Sequence, residues 1–545
     1  LNATSNHERR NRPLSAVASP CVGLQTADNG RFLRSWFEVA FRKIGIGCKS
    51  IAASVASGKK FFPYNKGGSP RRWYGNQELV INWENDGSEI RSFKGAVIRN
   101  PSFYFKECIS WGLISGPKFR YFPEGFLFDV QGMSCFYEDK EQLNREIAWQ
   151  NTKVFNQVSK IISPAGHIQI GEIAKMPCCD NAPDGIDRIG ENCISISKQD
   201  WDAHETSWDF QTNELLRIGK EKGFDSLHSI LAYYKREWEE RFFQLHDDEE
   251  ELNRRFIEIY GLQDELTPDV PLEEVTILQK DEKNIVDGEL VWNDSAIIKQ
   301  FLSYLVGCLM GRYSIERPGL VIANQGQHPE DLDFEPKVIP IDDDGIIPII
   351  EEADFFADDM AQRVEAAVES LFGKEKKEDN LRVIKNAIGM DLRKYFFDKF
   401  YADHLSTYSV KGAKRPIYWL FSSKMGDKRK KGYFKALVYM HRMEEDTLSK
   451  LHADYALPYL QKLQRQLDEV ESELSRDDLP NRKTMVTLSD NLRAKIREVR
   501  EFVDELAKMA SHRQTIDLDD GVAVNYPKFY PLLEPVKFPK PSETE

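Results

Sequence analysis

No apolar run in this chain approaches the ~18 residues a membrane-spanning helix needs. The start, LNATSNHERRNRP, carries charges with no apolar core behind them, so it does not read as a secretory signal. An initiator methionine is missing as well, and the chain reads as a piece of a longer protein. The eight cysteines (Cys21, Cys48, Cys108, Cys135, Cys178, Cys179, Cys193 and Cys308) form no CxxC pair and no regular framework. Without that spacing they read as ordinary thiols in a reducing cytoplasm, neither disulfide staples nor a zinc site at Cys178, Cys179 and Cys193. GxxxxGK[ST], GxGxxG after a strand, HExxH and GxSxG are all absent, and the ten histidines do not cluster. The usual signatures of P-loop, dinucleotide-binding, zinc-peptidase and serine-hydrolase chemistry are therefore missing.

What is present is 545 residues, 41% hydrophobic and 30% charged, enough for roughly three to four domains with buried cores. The net charge of −14 hides an asymmetry. Residues 1–120 hold 19 Lys and Arg against 8 Asp and Glu, a surplus of 11, which leaves −25 for the remainder. Local sign, rather than net charge, sets what a surface attracts, and a basic front would turn a polyanion onto one face.

The pattern predicts an α+β module followed by a mainly α-helical domain. Residues 1–20 read as a flexible lead. Residues 21–204 alternate β-rich runs (ELVINW, GAVI, FRYF, FLFDV) with turns, and place helices at RFLRSWFEVAF and from Lys140 to Ile162. Residues 205–443 hold apolar positions at helical spacing, as in LHSILAYYKREWEERFFQ, EELNRRFIEIYGL and IIKQFLSYLVGCLMGRYS, plus a small β-hairpin at RPIYWLF and YFKALVYM. In 444–513, Leu457, Leu460, Leu463, Leu467, Val470 and Leu474 are followed, beyond SRDDLPNRK, by Leu488, Leu492, Ile496, Val499, Val503 and Leu506. A period near 3.5 predicts a long antiparallel helical hairpin, or two core helices of a larger bundle. Residues 514–545 form a proline-rich tail, expected to be extended and strapped over a neighbour.

The stretch YNKGGSPRRWYGNQELVINWENDG (64–87) crowds cations, aromatics and glycines together. Arg71, Arg72, Asn76 and Gln77 are side chains that fork onto base edges, and Trp73 could stack on a base. Lys66, Lys94, Arg99, Lys106, Lys118 and Arg120 could neutralise phosphates. The run Lys424–Lys431, with Lys428, Arg429 and Lys430, could touch the same backbone from the hairpin tip. The alternative for the first loop is a turn whose aromatics pack inward. Two catalytic look-alikes are weaker. Asn100-Pro101-Ser102-Phe103 resembles an amino-methyltransferase motif but lacks its second proline, and reads better as a turn. Asp129, Glu138 and Lys140 have the residue order of a metal-dependent nuclease at a short spacing.

GLQTADNGRFLRSW (23–36), the loop 64–87 and FKGAVIRNPSFYFKECISW (93–111) resemble the C-terminal half of the PglX family, the adenine-specific DNA methyltransferases of BREX phage-defence systems. HIQIGEIAKMP, ETSWDF, FIEIYGLQDELTPDVPLEE, VGCLMGRYS, RPIYWLF and GYFKALVYMHR extend the resemblance over about 21–530. It implies that residues 21–204 are a target-recognition domain, opened by Gln25, Thr26 and Asn29, which could instead pin its fold through turn hydrogen bonds, and that double-stranded DNA is the partner. The family's catalytic core, with its S-adenosylmethionine pocket, precedes this region, so the resemblance implies adenine methylation for the parent protein and no cofactor on this chain. Two other readings stay open: a protein-interaction scaffold for other defence subunits, and the nuclease.

Overall fold

The computed structural model describes residues 12–112, 118–164, 166–180, 182–278, 282–353, 355–476 and 480–538. Most of the predicted flexible lead, 1–11, lies outside them. Residues 12–20 are ordered, with Leu14 fully buried and its N–H donating to Met176 O at 2.7 Å.

Two four-stranded sheets make up the first part. One is antiparallel, ordered β1 (Ala18–Cys21), β8 (Met133–Tyr137), β5 (Cys108–Trp111), β6 (Arg120–Phe122). The other is ordered β2 (Leu33–Ser35), β4 (Leu79–Asn82), β3 (Phe61–Asn65), β7 (Leu127–Phe128), with β3 and β7 parallel. Side chains alternate across a strand, and here both faces are buried. Phe62, Tyr64 and Ile81 face a compact core with Trp83, Tyr104 and Phe128, while Phe61 and Val80 join the core that runs through the rest of the molecule.

Double burial explains one of three departures from the sequence expectation. RFLRSWFEVAF contains no long helix: after the short turn Asn29–Phe32 the chain enters β2 and a 3-10 turn. Trp36, Phe37, Val39 and Ala40 are all buried, so the apolar run records enclosure and carries no helical period. GAVI makes only a single bridge, Val97 with Gln25. The expected helix from Lys140 to Ile162 is two, Lys140–Gln150 and Lys153–Ile162, because Thr152 Oγ1 caps the second by accepting from Phe155 N at 3.2 Å.

The second part is mainly helical. LHSILAYYKREWEERFFQ and EELNRRFIEIYGL are one helix, Leu227–Tyr260, of 34 residues and ~51 Å at 1.5 Å per residue. Its buried stripe includes Tyr234, Trp238, Phe242, Leu245, Glu249, Leu252 and Phe256, and Gly261 ends it in a left-handed conformation. A three-stranded sheet, β11 (Ile346–Ile349), β15 (Lys435–Tyr439), β14 (Tyr418–Ser422), sits among the helices, with small hairpins β9 (Lys283–Val286)/β10 (Glu289–Trp292) and β12 (Ser409–Val410)/β13 (Ala413–Lys414). Among the described residues no helix is long and apolar enough to cross a membrane.

The helices Leu457–Leu474 and Arg482–Ser511 pack together. Arg493 pairs with Glu471, and Arg500 donates to Gln464. Leu463, Leu467 and Val470 are buried, as are Leu492, Ile496, Val499, Val503 and Leu506, whereas Leu488 is exposed. The tail to Phe538 is strapped onto β14 by Ser422 N–H to Leu532 O and Glu534 N–H to Leu420 O, both 2.9 Å.

Candidate nucleic-acid interface

The loop 64–87 turns its aromatics inward. Tyr64, Trp73, Tyr74 and Trp83 are all buried. Trp73 N–H donates to Phe119 O and Tyr121 N–H to Trp73 O, so the loop lies along β6 like a short extra strand. Asn76, with φ +60°, closes the loop on itself: its Nδ2 donates to Ser69 O at 2.8 Å, and its Oδ1 accepts from Ser69 Oγ at 2.9 Å. Gln77 is buried, its Oε1 accepting from Tyr74 OH.

The two arginines expected to read bases are engaged within the fold. Arg71 donates from Nε to Tyr74 O at 2.6 Å and from Nη2 to Asp200 at 2.5 Å, and its guanidinium lies 5.3 Å from the Trp201 ring centroid. Arg72 forks onto Glu249 and Glu274, each at 2.7 Å. The Trp73 indole N–H donates to the other oxygen of Glu249 at 2.7 Å. A buried carboxylate needs charge partners, and Glu249 has two donors in one loop. Trp73, Arg71, Arg72, Asn76 and Gln77, the residues expected to contact bases, thus each bond to partners within the fold.

Among the expected phosphate contacts, Arg120 is buried, donating to Ser69 O and Arg71 O at 3.2 Å. Burial lowers it to about 10 despite Glu78 nearby. It braces the loop from below. Lys118 is half-buried, and burial followed by Arg72's like charge lowers its pKa. Lys66 leans on Asp129 at 3.7 Å. Lys94 and Lys106 are exposed and Arg99 half-buried; Lys106 sits 5.3 Å over the Phe103 ring. On the second loop, Lys428 is exposed, Arg429 pairs with its neighbour Asp427, and Lys430 reaches Glu501 at 2.6 Å. Glu498 organises that loop, accepting from Ser423 Oγ and from the N–H groups of Lys431, Gly432 and Tyr433.

Asn100 has φ +51° and its Nδ2 donates to Val22 O, opening a 3-10 turn at Pro101–Phe103. Phe103 packs on Phe136 at 4.7 Å, so this segment is a packed turn. Two members of the nuclease triplet have other partners. Asp129 accepts from Tyr64 OH at 2.6 Å and Gln131 N–H at 2.8 Å, while Lys140 pairs with Glu107. Among the described residues no group of three or more His, Cys, Asp or Glu could hold a metal. Gln25 exchanges backbone bonds with Val97, and Thr26 Oγ1 donates to Asn29 Oδ1 at 2.7 Å, which pins the start of the module.

Sequence reasoning missed Lys411, which donates from Nζ to Lys66 O at 2.7 Å across 345 residues. It also missed Glu249, although a carboxylate in the stripe Leu245–Glu249–Leu252 was a usable signal that a cation had to be waiting.

No protein-family model matches the chain. Over 540 residues, 94% of its length, it is 35% identical to the adenine-specific methyltransferase PglX of Lacticaseibacillus casei (strain Zhang). Over 529 residues, 93% of its length, it is 35% identical to the adenine-specific methyltransferase BrxX of Escherichia coli O9:H4 (strain HS). The chain spans 42% of the length of each of these relatives. Nearly all of this chain is thus related to part of the adenine-specific methyltransferases PglX and BrxX.

Proposed function

We propose that this chain is the DNA target-recognition and clamp portion of a site-specific N6-adenine DNA methyltransferase acting in phage defence, the catalytic core and its S-adenosylmethionine pocket belonging to the remainder of the parent protein. The observation that carries this is the 35% identity maintained along 93–94% of a chain that spans 42% of two adenine-specific methyltransferases. Residues 21–204 serve as the recognition module. Residues 205–443 form the helical body behind it, and the antiparallel hairpin within 444–513 acts as a clamp arm. The rigid loop 64–87 is a brace that fixes the recognition surface. Contact with the DNA backbone falls to the accessible cations Lys94, Arg99 and Lys106, with Lys428 and Arg429 on the second loop.

The test is a titration of labelled duplex DNA at 50 and 200 mM salt. Micromolar binding that weakens at least tenfold between the two is expected, since several released counterions give a steep salt slope. Lys94→Glu with Lys106→Glu should weaken it further. Absence of duplex binding at 50 mM salt would displace this reading in favour of a protein-interaction scaffold.

A further inference from the structure

Below the braced loop lies a cleft of about 610 Å³, lined by Lys66, Gly67, Gly68, Gly112, Gln131, His167, Gln169 and Lys411. We propose that this cleft holds one backbone phosphate of bound duplex DNA, between the Lys66 and Lys411 ammonium groups over a floor of glycines. The proposal rests on the DNA-binding reading above and names a contact that the sequence did not show.

Three observations converge on it. The first is charge. Lys66 and Lys411 come together across 345 residues, and with Arg120 they outnumber the carboxylates around them. Asp129 is the carboxylate paired with Lys66, and it already accepts from Tyr64 and Gln131. The other charged groups facing Lys411 are Arg120, which adds positive charge, and Glu78, whose pKa burial raises. Three cations therefore share two carboxylates, Asp129 and Glu78. Removal from water, then the like charge of Lys66, lowers Lys411 to about 8. Lys66 is lowered as well, by burial. An anion between the two would relieve both.

The second is the floor. Gly67 and Gly68 have φ of +69° and +140°, which already favours glycine. Gly112 has no such need. A Cβ there would meet, among the described residues, only Gly68 O at 4.0 Å. Among the described residues there is thus open space beside Gly112 that a larger side chain would enter. The third is position. Lys411 lies at the turn between β12 and β13, in the helical part, and reaches the loop that follows β3. A phosphate seated here would be gripped by both parts of the chain at once.

The experiment compares wild type, Lys411→Met, Lys66→Met/Lys411→Met and Gly112→Asp for duplex binding across 50–300 mM salt, with thermal melting of each. One phosphate contact contributes about one unit to the slope of log K against log salt. Lys411→Met should weaken binding about tenfold at pH 7 and reduce the slope by about one. Gly112→Asp should weaken binding with both lysines intact, and serves if the lysine variants melt early. Because the Lys411 ammonium loses its proton near pH 8, wild-type affinity should fall between pH 7 and 9 more than that of Lys411→Met. Wild type that binds duplex with slopes unchanged in all variants overturns the proposal alone. Wild type that binds no duplex overturns the parent reading and this one together. Inorganic phosphate binding that depends on Lys411, with duplex binding indifferent to it, assigns the cleft to a free anion and also overturns the proposal.

Discussion

Glu249→Gln should destabilise the protein by about 2–3 kcal/mol. Glu249 is buried in the stripe of the long helix, and its two oxygens accept from Arg72 and the Trp73 indole. Breaking a buried ion pair costs roughly 3–5 kcal/mol when the partner charge is stranded. Here Arg72 keeps its second edge on Glu274, a half-exposed carboxylate, and the glutamine retains an oxygen for the indole N–H, so the loss is smaller. The assay is urea unfolding followed by tryptophan fluorescence, read as a shift of the first transition at unchanged slope. Arg72→Met completes the cycle: the double variant should be at least ~1 kcal/mol more stable than the two single losses add up to. Glu249→Gln within about 0.5 kcal/mol of wild type would refute the reasoning. So would Arg72→Met that lowers DNA affinity while unfolding is unchanged, since Arg72 would then be a contact rather than a brace.

The buried Glu146 carboxyl, which accepts from Cys179 N–H and Gln142 Nε2, is pushed up to about 8 by burial. The folded protein therefore holds a proton that the unfolded chain releases near 4.5, so this group lowers stability as pH rises from 4.5 to 8. Glu146→Gln should gain stability relative to wild type at pH 8 compared with pH 5, and parallel melting temperatures across that range would contradict this. At Gly23 a Cβ would fall 1.7 Å from Phe128 O, so Gly23→Ala must part the chain from β7. A loss of about 3 kcal/mol or more in the same urea assay is expected, and a neutral substitution would show that the contact relaxes freely.

The helices around Leu463 and Ile496 were legible because each has one wet face, and a wet face leaves a period in the sequence. The loop 64–87 was legible as a composition but not as an environment. Its partners Asp200, Glu249 and Glu274 lie 129 to 202 residues onward, where no local pattern ties them to Arg71 and Arg72. The charge asymmetry has the same origin in part. Some of the basic front is answered by the acidic remainder, as in Arg71–Asp200, Arg72–Glu249 and the pairing of Lys43 and Lys60 with Asp519. Lys411 was invisible for a different reason: a single lysine in a short turn has no context until the fold brings it to Lys66.

The Asp519 contacts carry a consequence for biosynthesis. Its carboxylate pairs with Lys43 and Lys60, 476 and 459 residues earlier, and Glu38 accepts from the N–H of Val522. At roughly 5–20 residues per second, the front of the chain emerges from the ribosome about 20–90 s before the residues that close it. During that interval the buried carboxylate of Glu38 and the face around Lys60 wait without their final cover. A chaperone or a slowed translation rate would thus act most strongly on the first module, although the segment that completes it is made 459 residues after Lys60.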